Sequence, residues 1–189
     1  IVSLGEDFDK LYLDKVMGLS LSLDLIQKHR HLGIVYTPIH GTGRRLVPEI
    51  LKMKGFDNVS TVASQMTVDG NFPTVKSPNP EEPAAMALAI EQAKSQDADL
   101  VMATDPDADR VGFAVKDEKG DFVLLNGNQA ACLFLYYLLK RWKELGKLTG
   151  SEYVVKTIVT TELLSEISRK YDVKHYDVLT GFKYIASKI

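Results

Sequence analysis

Three absences bound what this chain can be. It has one cysteine, Cys132, so no internal disulfide can form and packing alone must hold the fold. The lack of disulfides fits a reducing cytoplasm, which is the expected location. Long apolar runs are missing too. The greasiest stretch, residues 130–139, is too short to cross a bilayer, so no membrane partner is expected. Charge of one sign is also absent. Lys and Arg total 23 against 25 Asp and Glu, a net of -2, which gives no basis for nucleic-acid binding. No short repeat and no low-complexity tract appears. A hydrophobic content of 45% with 25% charged residues describes an ordinary globular protein, with room for one large or two small domains. No signal peptide is expected. It begins at Ile1 without a methionine and stops at Ile189 inside an amphipathic pattern, so the expectation is a piece of a larger protein.

The informative stretch is Ala103-Thr104-Asp105-Pro106-Asp107-Ala108-Asp109-Arg110. Three alternating carboxylates repel one another unless a cation sits among them. Oxygen-only ligation suits a hard ion such as Mg2+ or Ca2+. The guanidinium of Arg110 suits a phosphate, which it can grip through two parallel hydrogen bonds. A metal beside an arginine supplies the charge neutralisation and positioning that phosphoryl transfer needs. Two blander readings compete. A solvated acidic loop is common, but here residues 99–103 read as a buried strand entering the loop and 111–115 as a strand leaving it. Loops at strand ends are where α/β proteins bind ligands. An EF-hand needs glycine at its sixth place and glutamate at its twelfth, where this chain has Arg110 and Lys116.

Apolar spacing predicts an amphipathic helix over 7–17. Residues 19–30 read two ways: Leu19, Leu21, Leu23 and Leu25 alternate like a strand, while Ser22 through Lys28 fits a capped helix ended by Gly33, the reading preferred here. A strand follows at 33–38, then a glycine-rich turn, a helix over 44–54 with Pro48 in its first turns, and Gly55 as its cap. A weak strand at 59–62 leads into a polar connection over 65–83 and a helix over 84–95. Strands at 99–104, 111–116 and 121–125 complete an α/β unit with one antiparallel hairpin. Beyond Asn126-Gly127-Asn128 a second unit starts. Its helix over 129–145 is apolar nearly all round, which predicts burial. A strand over 153–159, a helix capped by Thr160 or Thr161, a strand over 173–179 and a last helix after Thr180-Gly181-Phe182-Lys183 follow.

Other stretches are less specific. His40-Gly41-Thr42-Gly43-Arg44-Arg45 is neither a Walker A loop nor a dinucleotide fingerprint, since Leu46 stands at the third glycine place. Arg44 and Arg45 sit at a helix N-terminus, where the dipole disfavours cations, which hints at an anion or a domain contact. A lone loop histidine such as His40 reads as structural. Lys76-Ser77-Pro78-Asn79-Pro80 reads as a rigid extended connection. Thr180 and Lys183 bring a hydroxyl and an ammonium to a strand-to-helix turn; taken alone it reads as structural, though such a turn can hold a sugar or phosphate.

Taken together, these blocks resemble the α-D-phosphohexomutase superfamily, the phosphoglucomutases and phosphomannomutases. The likeness rests on Thr104 through Arg110, on Tyr36-Thr37-Pro38-Ile39-His40-Gly41-Thr42-Gly43, on Phe72-Pro73 through Asn79-Pro80-Glu81, on Asn126-Gly127-Asn128-Gln129, and on Thr180 through Ile185. That family has four domains, the first three on a similar α/β plan. The resemblance implies an α/β fold with mixed sheets flanked by helices, in two consecutive units, the second truncated. Residues 1–125 would be the metal-binding second domain, and 126–189 the first part of the sugar-binding third. It implies that Asp105, Asp107 and Asp109 hold Mg2+, that Asp109 and Arg110 contact substrate beside the metal, and that Thr180 and Lys183 face the sugar.

The resemblance also implies a mutase that interconverts hexose 1- and 6-phosphates through a phosphoserine and glucose 1,6-bisphosphate. No catalytic nucleophile is expected here. The family's phosphoserine lies in a Ser-His-Asn-Pro setting in its first domain, and Ser77-Pro78-Asn79-Pro80 only imitates those letters. Sugar phosphates are the expected partners, with the first and fourth domains missing. A phosphopentomutase of the same superfamily and a non-catalytic metal- or sugar-phosphate-binding module are the alternatives.

Overall fold

A computed structural model describes residues 4–189. The chain forms two compact units, Ile1–Leu125 and Asn126–Ile189. In the first, the sheet has five strands in the order β2-β1-β3-β4-β5. These are β1 (Ile34–Thr37), β2 (Val59–Thr61), β3 (Leu100–Thr104), β4 (Val111–Lys116) and β5 (Phe122–Leu125). β1 runs parallel to β2 and β3, while β3, β4 and β5 form an antiparallel meander. The sequence suggested one antiparallel hairpin; the sheet has two in succession, because the turns at 105–110 and 117–121 are both too short for a crossover.

β1 is buried along its whole length, as a central strand of a covered parallel sheet should be. Val35 on one face packs with Val101 and Ala103 of β3 and with Ala85, Met86, Ala89 and Ala93 of α4 (Pro83–Ser95). Alanines on that helix face let it lie close to the sheet. Pro83 opens α4 at a position where the missing N–H costs nothing. Tyr36, next along β1, bonds the Thr104 hydroxyl through its own at 2.8 Å, and burial pushes its phenol up to about 12 despite that bond. The remaining helices of this unit are α1 (Gly5–Met17), α2 (Leu23–Lys28) and α3 (Leu46–Lys54). α2 takes the helical reading of 19–30 but stops at His29, four residues before Gly33. Gly55 does close α3, with φ 106°.

Two glycines fix how the loops of this unit meet. A Cβ on Gly41 would lie 2.3 Å from the Pro106 Cα and 2.6 Å from its carbonyl oxygen. One on Gly112 would lie 2.4 Å from the Pro80 carbonyl oxygen. Both obstacles are backbone, which cannot rotate aside.

The second unit has a two-stranded parallel sheet of β6 (Tyr153–Thr157) and β7 (Lys174–Val178), with α5 (Gly127–Glu144), α6 (Leu163–Lys170) and α7 (Phe182–Ala186). α5 starts earlier than expected because Asn126 caps it. The Asn126 side chain accepts from the Gln129 amide at 2.9 Å, and the Gln129 side chain accepts from the Asn126 amide at 2.9 Å. The expected burial of α5 is not found: Leu133 is 56% exposed and Phe134 52%. The few elements of this unit cover one stripe of the helix, with Ala130, Cys132 and Leu139 inside. Burial pushes the Cys132 thiol up. Thr161 serves the start of α6 from one residue before the cap, its hydroxyl accepting from the Leu163 amide at 3.2 Å. Glu162 occupies the cap position, and its carboxylate accepts from Lys156 at 2.9 Å.

Gly41→Ala should cost about 1–3 kcal/mol of stability in urea melts, since overpacking against backbone forces the chain to shift. A change within about 0.5 kcal/mol would sink the close-approach argument. Acid should act through Glu152. The Thr149 hydroxyl and amide and the Gly150 amide donate to its carboxylate at 2.7–3.0 Å and lower it from 4.5 to about 2. A depressed carboxyl contributes stability that is present above its unfolded value and lost as pH falls through the folded one. The advantage of the native chain over Glu152→Gln should therefore shrink between pH 4.5 and about 2. A Glu152 carboxyl carbon titrating by NMR at its ordinary value would refute this.

Candidate functional site

The acidic run forms the tip of the β3–β4 hairpin. The Asp105 amide donates to the Arg110 carbonyl at 3.3 Å, which closes the loop, and the Ala108 amide donates to the Asp105 carbonyl at 3.0 Å. Ala108 has φ 61°, a left-handed turn residue that lets the chain reverse between Asp107 and Asp109. This folding brings one carboxylate oxygen from each of Asp105, Asp107 and Asp109 within 4.8 Å of one another. No other group of three possible ligand residues meets in this way among the described residues.

The three carboxylates have different surroundings. Asp105 is 1% exposed. Burial alone would raise its carboxyl, but the Arg110 amide at 3.0 Å and the Arg110 Nε at 2.8 Å outweigh it and hold it below the ordinary range. Asp107 and Asp109 are exposed. The charge of Asp107 first, and that of Asp105 with it, raises Asp109. Arg110 is raised in turn, chiefly by its bond to Asp105. Its side chain is 56% exposed and engages Asp105 through Nε alone, with Asp109 at 3.8 Å. The guanidinium thus braces the buried carboxylate, while its terminal nitrogens have no hydrogen-bond or ion-pair partner among the described residues.

This donor set fits a hard cation. It is all oxygen, and one carboxylate is fixed in the interior while two face solvent, which leaves coordination positions for water or phosphate. Mg2+, which gives up its waters reluctantly, suits such a half-built shell.

The glycine-rich turn lies against this loop. The Thr42 amide and hydroxyl donate to the Pro106 carbonyl at 2.8 and 3.1 Å. Arg45, whose position hinted at an anion, instead pairs with Asp9 of α1 at 2.8 Å; Arg44 is exposed. The connection at 76–80 is held by local bonds: Ser77 donates to Glu82 at 2.9 Å, and Asn79 accepts from the Glu81 amide at 3.1 Å. Thr180 and Lys183 belong to the second unit. Thr180 is exposed beside Gly181, whose φ is 131°, and Lys183 Nζ lies 4.9 Å from the Tyr184 ring centroid.

Sequence reading missed one charged cluster. Lys156 is buried at 4% exposure and pairs with Glu162 at 2.9 Å and Asp177 at 3.0 Å, joining β6, β7 and the start of α6. The signal available was a lysine inside the β-branched run Val154-Val155-Lys156-Thr157-Ile158.

Comparison with known proteins adds independent findings. Residues 10–120 match phosphoglucomutase/phosphomannomutase, alpha/beta/alpha domain II, and residues 126–189 match alpha/beta/alpha domain III of the same family. A phosphoglucomutase of Staphylococcus haemolyticus (strain JCSC1435) is 42% identical over 158 residues, which cover 84% of this chain and 28% of that protein. The chain therefore spans little more than a quarter of that relative's length. The structure of a phosphoglucomutase/phosphomannomutase family protein from Burkholderia thailandensis superposes with a TM-score of 0.72 at 23% identity, over 95% of this chain and 35% of that one. Aspergillus fumigatus N-acetylphosphoglucosamine mutase in complex with GlcNAc-6P and magnesium superposes with a TM-score of 0.58 at 18% identity, over 83% and 32%. The two structural likenesses speak to the fold alone. The match of both units to successive domains of one family means that this chain belongs to the phosphoglucomutase/phosphomannomutase family.

Proposed function

We propose that this chain is the part of a Mg2+-dependent phosphoglucomutase or phosphomannomutase that carries the metal loop and the start of the sugar-binding unit. The carrying observation is the convergence of Asp105, Asp107 and Asp109 oxygens within 4.8 Å at a hairpin tip, with a half-free guanidinium beside them. In this reading residues 1–125 are the metal-binding domain and 126–189 open the sugar-binding one. Domains on either side complete the enzyme, which works in the cytoplasm.

The three aspartates would hold the ion, and the ion supplies charge neutralisation for a phosphoryl group in transfer. Asp105, fixed by Arg110, is the rigid ligand; Asp107 and Asp109 adapt to the remaining positions. Arg110 keeps its terminal nitrogens for a phosphate oxygen of the substrate. Thr180 and Lys183 offer a hydroxyl and an ammonium to the sugar. A phosphoserine elsewhere in the whole enzyme passes its phosphoryl group to the free hydroxyl of a hexose monophosphate. The resulting bisphosphate, glucose 1,6-bisphosphate for a glucose substrate, turns over and returns its other phosphoryl group to the serine.

Metal binding to this chain should be weak, with a dissociation constant on the order of 1 mM, because three carboxylates leave the shell incomplete. Calorimetry with Mg2+ measures it. No heat of binding, or the same affinity after Asp107→Ala, contradicts the metal reading. In the full-length enzyme Arg110→Lys should lower kcat/KM for glucose 1-phosphate about 30- to 150-fold. A lysine keeps the charge but loses the planar grip, at about 2–3 kcal/mol. Losing the side-chain bond to the buried Asp105 costs about 1.5–3 kcal/mol of stability where lysine cannot restore it, while the Arg110 amide still donates to the same carboxylate. Near-normal turnover with a large fall in melting temperature would mean that Arg110 serves only to brace Asp105.

A further inference from the structure

We propose that His40 is a positioning residue of the acidic loop: its buried imidazole locks a strained turn whose next two residues grip Pro106, between Asp105 and Asp107. This rests on the reading of the three aspartates as metal ligands. Ile39 and His40 have φ 45° and 61°, a left-handed conformation that neither side chain favours. Such strain persists only where the surroundings over-determine it, and it gathers at functional sites.

The surroundings here are a closed ring of polar bonds. The imidazole Nδ1 lies 2.9 Å from the Thr67 carbonyl, which can only accept, so Nδ1 carries a proton and donates. Nε2 meets the Thr74 hydroxyl at 2.9 Å. Gln65, fully buried, donates to that hydroxyl at 3.0 Å and accepts from the Thr37 hydroxyl at 2.6 Å. The Thr37 oxygen in turn accepts from the Ile39 amide at 3.1 Å, which returns the ring to the strained turn. The backbone of His40 is held as well: its amide donates to the Gln65 carbonyl at 2.9 Å and its carbonyl accepts from Asp69 at 3.2 Å.

Both ring nitrogens are therefore committed, and the side chain is 2% exposed, so His40 has nothing to offer a substrate. What it controls is the backbone that follows. Gly41 touches Pro106 with no room for a Cβ, and Thr42 gives the Pro106 carbonyl two hydrogen bonds. Among the described residues no hydrogen bond joins the ring to a carboxylate. The ring's influence on Asp105 and Asp107 runs through the contact of Gly41 and Thr42 with Pro106, beside the pairing of Thr37 with Ala103.

Mn2+ binding to the 189-residue chain, followed by water-proton relaxation, tests this. His40→Ala should weaken Mn2+ about 10-fold, the low end of what residues supporting a metal's ligands contribute. His40→Asn should recover most of that loss, since asparagine tolerates positive φ and can still donate to the Thr67 carbonyl. Leu51→Ala, a cavity under the second half of α3 and outside the core cluster that holds Ile39, should lower the melting temperature and leave Mn2+ affinity unchanged. Wild-type affinity in His40→Ala, or an equal loss of affinity in Leu51→Ala, overturns the proposal. Should His40→Ala not fold, Thr74→Val removes one partner of the ring at an exposed position. A weaker Mn2+ affinity then supports the proposal and an unchanged one overturns it. Asp107→Ala separates the two levels: if it binds Mn2+ as well as wild type, the metal reading itself fails and the role of His40 falls with it.

Discussion

The first unit is organised around a backbone contact too close to admit one extra carbon. Gly41 rests on Pro106, and Thr42 hydrogen-bonds the same carbonyl. That contact joins the turn after β1 to the tip of the β3–β4 hairpin, next to each other because β1 and β3 are parallel neighbours in the sheet. A hairpin tip carrying three carboxylates would otherwise be pushed open by its own charge. Anchoring Pro106 to a neighbouring turn fixes the segment between two of them without adding charge.

The second element of order is the pair formed by Asp105 and Arg110. It divides the three aspartates into one whose carboxyl is lowered and one, Asp109, whose carboxyl is raised. The difference is environmental. Asp105 is buried and bonded twice by Arg110, while Asp109 faces solvent and like charge. A fixed anion beside adaptable ones suits a site that must hold an ion and still exchange part of its shell, and the arginine that fixes it leaves its outer nitrogens for a second anion.

The second unit shows the same economy with the opposite charge. Lys156 is buried between Glu162 and Asp177, so one ammonium ties two strands to the start of a helix. Removing either acid would leave a charge in the interior with less to compensate it. Thr180 follows two residues after β7 ends, so the turn that bears it begins from a strand held by that cluster.

The sequence by itself determined the order and kind of nearly every element, the α/β class, and the trio of aspartates, because these depend on local periodicity and on spacing within a few residues. Gly55 as a helix cap and Pro83 at a helix start were legible for the same reason: their backbone constraints are their own. Only the tertiary structure decided the rest. Whether Arg110 turned to a ligand or back to Asp105, whether Arg45 served an anion or Asp9, and whether His40 was idle or the centre of a polar ring all depend on residues as many as 36 positions away. The exposure of α5 was likewise invisible, since an apolar surface is buried only where other elements exist to cover it. Chain-distant contacts leave no periodic trace in a single sequence; they are set by the register of the strands that bring the loops together.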